Sequence, residues 1–150
     1  VVNPKTASDF KGKVEPDWCA GCGDFGVLNS LRRACVDLEL NPHEILTVSG
    51  IGCSSNFPGY FNSFGMHTLH GRSLAVATGA KMANHELTVV VTGGDGDGYG
   101  IGGNHFTHTA RRNLDILLRE LPGLEHVPQD QFDETFEKWA KGYTLRPEEG

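Results

Sequence analysis

The chain has 150 residues, a typical length for one domain, and its 13 Lys and Arg against 19 Asp and Glu give a net charge of −6. This acidic balance argues against a surface that binds nucleic acid or anionic lipid. No apolar run approaches the roughly 20 residues of a membrane span, and no basic start followed by an apolar run indicates a secretory signal. We therefore expect a cytoplasmic protein whose cysteines are reduced.

Helix and strand patterns alternate along the chain. Helices are predicted where apolar residues recur at helical spacing, from Asp24 (as the cap) to about Leu40, from Ser73 (as the cap) to about Asn84 and from about Gly103 to Asn113. Strands are predicted at Ile45–Ser49, Leu87–Thr92 and Asp115–Leu118, with a glycine- and aromatic-rich loop over residues 56–72. This order predicts an α/β fold with a doubly wound, mostly parallel sheet and flanking helices.

The end of the chain differs in composition from the rest. Residues 117–150 contain eight acidic and four basic side chains. Phe132, Phe136 and Trp139 lie at helical spacing, which predicts an amphipathic helix over residues 130–141. We expect residues 1–116 to form one domain and residues 117–150 to form a C-terminal helical arm.

Four cysteines need an explanation: Cys19, Cys22, Cys35 and Cys53. Cys35 lies on the apolar face of the first predicted helix, where a small buried side chain is expected. Trp18–Cys22 is a W-C-x-x-C motif just before that helix, and three interpretations compete. It fits a thiol redox pair, because a helix N-terminus lowers the pKa of a thiol. With Cys53 it supplies three sulfur ligands, either to zinc completed by His67 or His70, or to an iron–sulfur cluster.

Glycine is concentrated in the middle of the chain, where 13 of the 20 glycines lie between Gly50 and Gly103. Gly93–Gly98 reads GGDGDG and follows a predicted strand. Glycines at the carboxyl end of a parallel strand let backbone N–H groups approach phosphate oxygens. A carboxylate there would repel a bare phosphate, but it can hold Mg²⁺ that bridges to a diphosphate. The turn therefore predicts a diphosphate with a divalent cation, and a surface acidic turn with weak Ca²⁺ binding is the alternative.

Four histidines lie in two pairs. His67 and His70 are close to Arg72, which fits either an anion clamp or a solvated loop. His105 and His108 are about one helical turn apart, which suits metal ligation, but no third ligand is adjacent in the sequence. Packing of that pair under the sheet is the favoured interpretation.

Several motifs together resemble one family. They are Trp18–Gly26 (WCAGCGDFG), Ser49–Ser54 (SGIGCS), Phe57–Phe61 (FPGYF), His67–Arg72 (HTLHGR), Gly93–Gly98 (GGDGDG), Ile101–Phe106 (IGGNHF) and Ala110–Asn113 (ARRN). In this order they resemble the β subunit of 2-oxoacid:ferredoxin oxidoreductases, the subunit that binds thiamine diphosphate. The middle block looks most like the 2-oxoglutarate branch. The resemblance covers about residues 15–116 and implies a thiamine-diphosphate-binding fold, which is incomplete here.

The resemblance implies how the cofactor would be held. Asp95 looks like the Mg²⁺ carboxylate, and Gly94, Gly96 and Asp97 are expected to line the diphosphate of thiamine diphosphate. His70 is expected to touch the cofactor near the phosphates. No side chain is implied as a catalytic residue in its own right, except that His70 is a candidate.

The resemblance also implies what lies beside the cofactor. Ile51, Gly52, Cys53 and Ser54 are expected to lie against it. Cys19, Cys22 and Cys53 look like three ligands of a [4Fe–4S] cluster, which favours the cluster over zinc.

The implied reaction is the oxidative decarboxylation of a 2-oxoacid, with 2-oxoglutarate as the expected substrate. The products are an acyl-CoA and CO₂, and the electrons pass through the cluster to ferredoxin. The implied partners are an α subunit, in an αβ or α₂β₂ assembly, together with ferredoxin, the 2-oxoacid and coenzyme A.

The sequence departs from the family pattern after Ile116. A second strand with further Mg²⁺ ligands, an N-x-x-Y-G block and a fourth cluster cysteine are not found there. We expect a central segment to be missing between about Ile116 and Leu121, either by deletion or because this sequence omits it. The alternative functions are an inactive or structural relative, and a zinc-binding or thiol redox module that uses Cys19 and Cys22.

Overall fold

The computed structural model describes residues 6–116, and within them it contains four α-helices and three β-strands. The predicted C-terminal arm, its helix over 130–141 and the predicted loss of a segment after Ile116 lie outside the described residues. The predicted strand at Asp115–Leu118 is described only at its first two residues, which form a turn. The domain boundary at residue 116 stays a prediction.

Three parallel strands form the sheet: β1 (Ile45–Ser49), β2 (Phe64–His67) and β3 (Thr88–Thr92). β1 lies in the middle, and its residues pair with β2 from Leu46–Phe64 onward and with β3 from Ile45–Thr88 onward. All five residues of β1 are buried. The β1 and β3 predictions are confirmed, and both strands consist largely of the β-branched and aliphatic residues that suit a strand covered on both faces.

The strand β2 corrects the prediction of a loop over residues 56–72. Its four residues are all exposed, so their sequence carries no burial pattern, and the strand forms by backbone pairing with β1. The same stretch contains a short helix, α2 (Phe57–Tyr60), which buries Phe57 and Tyr60. Because parallel pairing requires no turn signal next to the strand, sequence periodicity alone does not find it.

The three longer helices are α1 (Asp24–Asp37), α3 (Ser73–Ala83) and α4 (Gly103–Arg111). The predicted N-cap residues, Asp24 and Ser73, lie one position too late in the chain, since Gly23 and Arg72 occupy the N-cap positions. α1 and α4 also end earlier than predicted. Soon after each helix a residue adopts the left-handed conformation that stops a helix, Glu39 at φ 53° and Asn113 at φ 47°.

Two apolar clusters lie on opposite faces of the sheet. One contains Ile45 and Val90 with Leu28 and Cys35 of α1, which confirms that Cys35 is buried. The other contains the alternate strand residues with Leu74 and Ala77 of α3; they are Leu46, Val48, Val89 and Val91. Helices therefore cover both faces, and the predicted doubly wound α/β fold with a parallel sheet is confirmed.

Within residues 6–116, no helix combines the length and the apolar character needed to cross a bilayer.

Candidate functional site

The candidate site lies at the carboxyl edge of the sheet, where three loops meet. These loops follow β1 (Gly50–Ser54), β2 (Thr68–Arg72) and β3 (Gly93–Asp97). Ligands of parallel α/β sheets bind at this edge, because the loops that follow parallel strands converge there. The predicted cofactor residues all lie on these loops or at their ends.

The carboxylate of Asp97 joins the three loops. Its Oδ1 atom accepts hydrogen bonds from the backbone N–H of Ile51 (3.0 Å) and of Gly71 (2.7 Å), and lies 2.7 Å from Nδ1 of His70. The side chain of Asp97 is 0% exposed, whereas that of His70 is 48% exposed. The buried Oδ2 atom of Asp97 has no hydrogen-bond partner. Asp97 thus faces the interior of the site.

The hydrogen bonds to Asp97 determine its ionisation. Burial acts to raise the pKa of the Asp97 carboxyl, since it disfavours the charged form. The N–H groups of Gly71 and Ile51 and the ring of His70 oppose burial and together hold the pKa below its ordinary value. The carboxylate is therefore charged at neutral pH.

Glycines make room for this arrangement. A Cβ atom at Gly50 would lie 1.9 Å from Oδ2 of Asp97, and a Cβ at Gly102 would lie 2.3 Å from the Asp97 carbonyl oxygen. Gly71 has φ 69°, a conformation that suits glycine, and a Cβ there would meet Ile101 at 2.5 Å. The close approach of backbone that the glycine excess predicts is thus found around Asp97.

Asp95 lies on the outer side of the same turn. It is exposed, and it immediately precedes a π-helical segment, Gly96–Ile101. Added Cβ atoms at Gly94 and Gly96 would meet nothing within 4 Å, so the backbone there is open. An exposed carboxylate beside open glycine backbone fits Mg²⁺ and a diphosphate by the chemistry of its donors. π-helical turns are rare and frequently mark functional sites.

A small cavity of about 90 Å³ lies behind this turn. The strand end of β3, the first turn of α3 and the π-helical segment line it; the residues are Ser73, Leu74, Val91, Gly93, Gly94, Asp97, Gly98, Tyr99 and Phe106. A pocket for a whole small ligand is usually about 300–1,000 Å³, so this cavity accommodates only part of a cofactor.

The Ile51–Ser54 segment links this region to the cysteines. Ile51 donates its backbone N–H to Asp97, and the Ile51 side chain is exposed. Gly52 has φ 126°, which favours glycine, and Cys53 is exposed at the start of a 3₁₀ turn. The Ser54 hydroxyl donates to the carboxylate of Asp24, at 3.1 Å from Oδ1. All four residues thus belong to one segment between the turn after β3 and the start of α1.

The two cysteine-bearing segments are joined by the Trp18–Cys53 hydrogen bond and by the Ser54–Asp24 hydrogen bond, and a further contact lies within the segment that carries Cys19 and Cys22. The indole N–H of Trp18 donates to the carbonyl oxygen of Cys53 at 2.7 Å, and the thiol of Cys22 lies 3.6 Å from Oδ2 of Asp24. Cys19, Cys22 and Cys53 are reduced thiols at or near the surface. Three soft sulfur donors suit an iron–sulfur cluster or zinc. Within residues 6–116, however, no three His, Cys, Asp or Glu side chains converge closely enough to hold a metal ion.

His67 and His70, which are close in the sequence, contact different residues in the structure. Nδ1 of His67, on β2, lies 2.9 Å from the Ser49 hydroxyl oxygen, whereas His70 faces Asp97. Arg72 is exposed and its guanidinium donates to the Gly71 carbonyl. His105 and His108 lie on α4, where His105 is half-buried and His108 is exposed, so the expectation that both pack under the sheet is wrong for His108.

Three relationships at the site are not predicted from the sequence: the inward direction of Asp97, the Trp18–Cys53 hydrogen bond and the contact between Asp24 and Ser54. The direction of Asp97 depends on the π-helical segment Gly96–Ile101, which residue types do not reveal. The other two join segments that are distant along the chain, and no sequence spacing predicts them.

The fold and site define a class of protein. Residues 50–118 match the family model described as thiamine pyrophosphate enzyme, C-terminal TPP binding domain. This range begins in the loop after β1 and includes the GGDGDG turn. The expectation of a thiamine-diphosphate-binding fold is therefore confirmed for this part of the chain.

Individual proteins that are similar to this chain are subunits of 2-oxoacid or 2-oxoglutarate oxidoreductases. The chain is 51% identical over 138 residues to subunit β of 2-oxoacid:ferredoxin oxidoreductase 2 from Aeropyrum pernix, covering 91% of this chain and 45% of the relative. It is 45% identical over 115 residues to the 2-oxoglutarate oxidoreductase subunit KorB from Mycobacterium tuberculosis, and this match covers 77% of this chain and 31% of the relative.

A solved structure supports the same grouping. The 2-oxoglutarate:ferredoxin oxidoreductase from Magnetococcus marinus, with 2-oxoglutarate, coenzyme A and succinyl-CoA bound, has a TM-score of 0.72 and 50% identity to the chain. The match covers 74% of this chain and 38% of that chain. The predicted kinship is thus confirmed: the chain is homologous to the β subunits of 2-oxoacid:ferredoxin oxidoreductases. It spans between about a third and a half of the length of these relatives.

Proposed function

We propose that this chain is the cofactor-binding part of the β subunit of a 2-oxoacid:ferredoxin oxidoreductase. The reaction is the oxidative decarboxylation of a 2-oxoacid, with 2-oxoglutarate as the proposed substrate, to an acyl-CoA and CO₂ with reduction of ferredoxin. The observation that carries this proposal is the Ile51–Ser54 segment. One end is hydrogen-bonded to Asp97 of the GGDGDG turn, and the other is hydrogen-bonded to Asp24, two residues after Cys22.

The residues around the GGDGDG turn would hold the diphosphate end of thiamine diphosphate. Asp95, which is exposed, would hold Mg²⁺, and the open backbone at Gly94 and Gly96 would face the diphosphate. His70 would contact the same end of the cofactor, with its orientation set by Asp97. Thiamine diphosphate, when bound, supplies the carbon nucleophile and the electron sink that decarboxylation of a 2-oxoacid needs.

The three surface cysteines would hold a [4Fe–4S] cluster next to the cofactor. Cys53 lies within the Ile51–Ser54 segment, so a cluster on its sulfur would be separated from the cofactor site by only a few atoms of one peptide segment. One-electron transfer to ferredoxin is the chemistry that such a cluster supplies. A cluster of this kind needs four ligands. Within residues 6–116 no three candidate ligands converge, so binding would require the three thiols to approach one another and a fourth ligand from outside these residues.

The small cavity behind the turn supports the involvement of a second subunit. At about 90 Å³ it accommodates only part of a cofactor. An α subunit, in an αβ or α₂β₂ assembly, would complete the pocket and would contribute to binding the 2-oxoacid and coenzyme A. Reduced thiols at the surface also fit the cytoplasm as the proposed location.

Calorimetric titration of the full chain with thiamine diphosphate, with and without Mg²⁺, tests the cofactor proposal. We expect binding that requires Mg²⁺ and that weakens at least about tenfold in Asp95→Asn, without a change in the melting temperature. The matched control is Asp37→Asn, which removes an exposed carboxylate at the far end of α1. Mg²⁺-independent binding, or equal affinity in both variants, would contradict the role of Asp95.

A second candidate function is a zinc-binding or thiol redox module. It is favoured by the C-x-x-C spacing of Cys19 and Cys22 just before α1 and by the absence of a disulfide between them. Iron, acid-labile sulfide and zinc analysis of anaerobically purified protein separates the candidates. Iron with sulfide supports the oxidoreductase, zinc without sulfide supports a structural site, and an oxidisable pair without metal supports the redox module.

A further inference from the structure

We propose that Asp97 is a positioning residue that locks the three loops of the site together and fixes the orientation of His70. Asp97 is thereby distinguished from Asp95, two residues earlier, which is the proposed Mg²⁺ ligand. The part of this inference that concerns cofactor affinity depends on the proposed function. The part that concerns His70 depends only on the geometry of this chain.

Three donors converge on one oxygen of Asp97, since Oδ1 accepts hydrogen bonds from the backbone N–H groups of Ile51 and Gly71 and from the His70 ring. Ile51 follows β1, Gly71 follows β2, and Asp97 itself follows β3. Hydrogen bonds to an ionised carboxylate are roughly twice as strong as neutral ones. A single side chain therefore links all three loops, in addition to the hydrogen bonds of Thr68 that join the end of β1 to the loop after β2.

The Asp97 carboxylate is closed to bulk solvent. The side chain is 0% exposed, and its second oxygen, Oδ2, lies against the backbone at Gly50 and Gly93. Cβ atoms at these two positions would lie 1.9 Å and 3.0 Å from Oδ2. On these two sides the backbone leaves no room for a metal ion beside Oδ2. Asp95, in contrast, is exposed.

The contact with Asp97 determines which ring nitrogen of His70 carries the proton. Oδ1 of Asp97 already accepts hydrogen bonds from two backbone N–H groups, so it is also the acceptor in the 2.7 Å contact with His70, and Nδ1 of His70 carries the proton. Nε2 then lies on the opposite side of the ring, in a side chain that is 48% exposed. In the neutral ring Nε2 is an acceptor with a fixed direction. Asp97 thus decides which nitrogen of His70 is available to a ligand.

NMR of the histidine ring nitrogens in the full chain tests the geometric part. We expect His70 in the Nδ1–H form in the wild-type chain, and we expect a shift toward the Nε2–H form in Asp97→Ala, which removes the acceptor oxygen altogether. His67 provides the internal control, because its partner is Ser49 and its signal should stay unchanged. A His70 signal that is unaffected by Asp97→Ala would overturn the proposal. If that variant fails to fold, the wild-type spectrum decides, since an Nε2–H form of His70 would overturn it.

The matched pair Asp95→Asn and Asp97→Asn tests the division of roles. We expect Asp97→Asn to weaken binding of thiamine diphosphate by about tenfold to a hundredfold at saturating Mg²⁺, with the Mg²⁺ midpoint unchanged. We expect Asp95→Asn to raise the Mg²⁺ midpoint. A raised Mg²⁺ midpoint in Asp97→Asn would identify Asp97 as a metal ligand and overturn the proposal. If the wild-type chain binds no thiamine diphosphate, the proposed function fails, and the His70 spectra still decide the positioning role.

Discussion

The indole N–H of Trp18 donates a 2.7 Å hydrogen bond to the carbonyl oxygen of Cys53, and so joins two cysteine-bearing segments that are far apart in the sequence. Trp18 is 8% exposed and makes edge-on ring contacts with Phe25 and Tyr60. The hydrogen bond therefore lies at the rim of an apolar cluster. This link fixes the backbone of Cys53 relative to Trp18, the residue that immediately precedes Cys19.

Trp18→Phe should keep most of the ring packing and remove the donor. We expect the free energy of unfolding to fall by about 1 kcal/mol or somewhat more, because the Cys53 carbonyl loses its partner and part of the ring volume is lost. Urea denaturation followed by circular dichroism measures this change. An unchanged urea midpoint would mean that the hydrogen bond contributes nothing to stability.

Substitution of cysteine should separate metal ligands from packing residues. If the chain binds an iron–sulfur cluster as proposed, Cys53→Ser should lose most of the iron and sulfide of the anaerobically purified protein, because a thiolate ligand is removed. Cys35→Ala is the matched control, since Cys35 is buried in α1 and should affect stability only. Equal iron content in the two variants would exclude Cys53 as a ligand.

Gly50→Ala should be strongly destabilising. The new Cβ would lie 1.9 Å from Oδ2 of Asp97, whose side chain is buried and is held by hydrogen bonds from Ile51 and Gly71. Overpacking of this kind usually costs about 1–3 kcal/mol. Gly79→Ala in α3 is the control, because nothing lies within 4 Å of its Cβ, and it should stabilise the helix by about 0.5–1 kcal/mol. Melting temperatures that move in the same direction for both variants would contradict this account of the site.

Stability should fall at alkaline pH through Tyr60. The hydrogen bond to Asp17, and then burial, hold the pKa of the Tyr60 hydroxyl above its ordinary value. The folded state thus binds this proton more tightly than the unfolded state. The resulting stabilisation is fully present below the unfolded pKa of about 10 and is lost as pH rises through the folded pKa. Urea midpoints measured across this range should decline less steeply for Tyr60→Phe, and parallel curves would contradict the shift.

The sequence predicts the elements that are buried on both faces. The apolar and β-branched runs at Ile45–Ser49 and Thr88–Thr92 permit few other structures, and the two strands form almost where expected. β2 could not be predicted in the same way, because its four residues are exposed and only pairing with β1 defines it. Helix ends were shifted by one to a few residues because left-handed residues such as Glu39 have no reliable sequence signal.

The sequence predicts where the site lies, but it does not predict the directions of the side chains within it. A GGDGDG turn after a buried strand indicates a ligand site from physical principles alone. The different directions of Asp95 and Asp97 depend on the π-helical segment that follows, and its wider turn is not evident from residue types. The ligand roles of the cysteines came from the resemblance, and the resemblance itself is confirmed by the relatives.

The central position of β1 also governs how the chain folds. Both strand pairings use β1, and each joins it to residues that are separated from it by long stretches of chain. Non-local parallel pairing is slow, because the entropy of closing these loops is lost before the contacts are gained. During synthesis the sheet therefore cannot close until β3 has emerged, and until then β1 exposes apolar residues to other chains. Early interception by chaperones, or immediate helix packing by α1, would protect that strand in the nascent polypeptide.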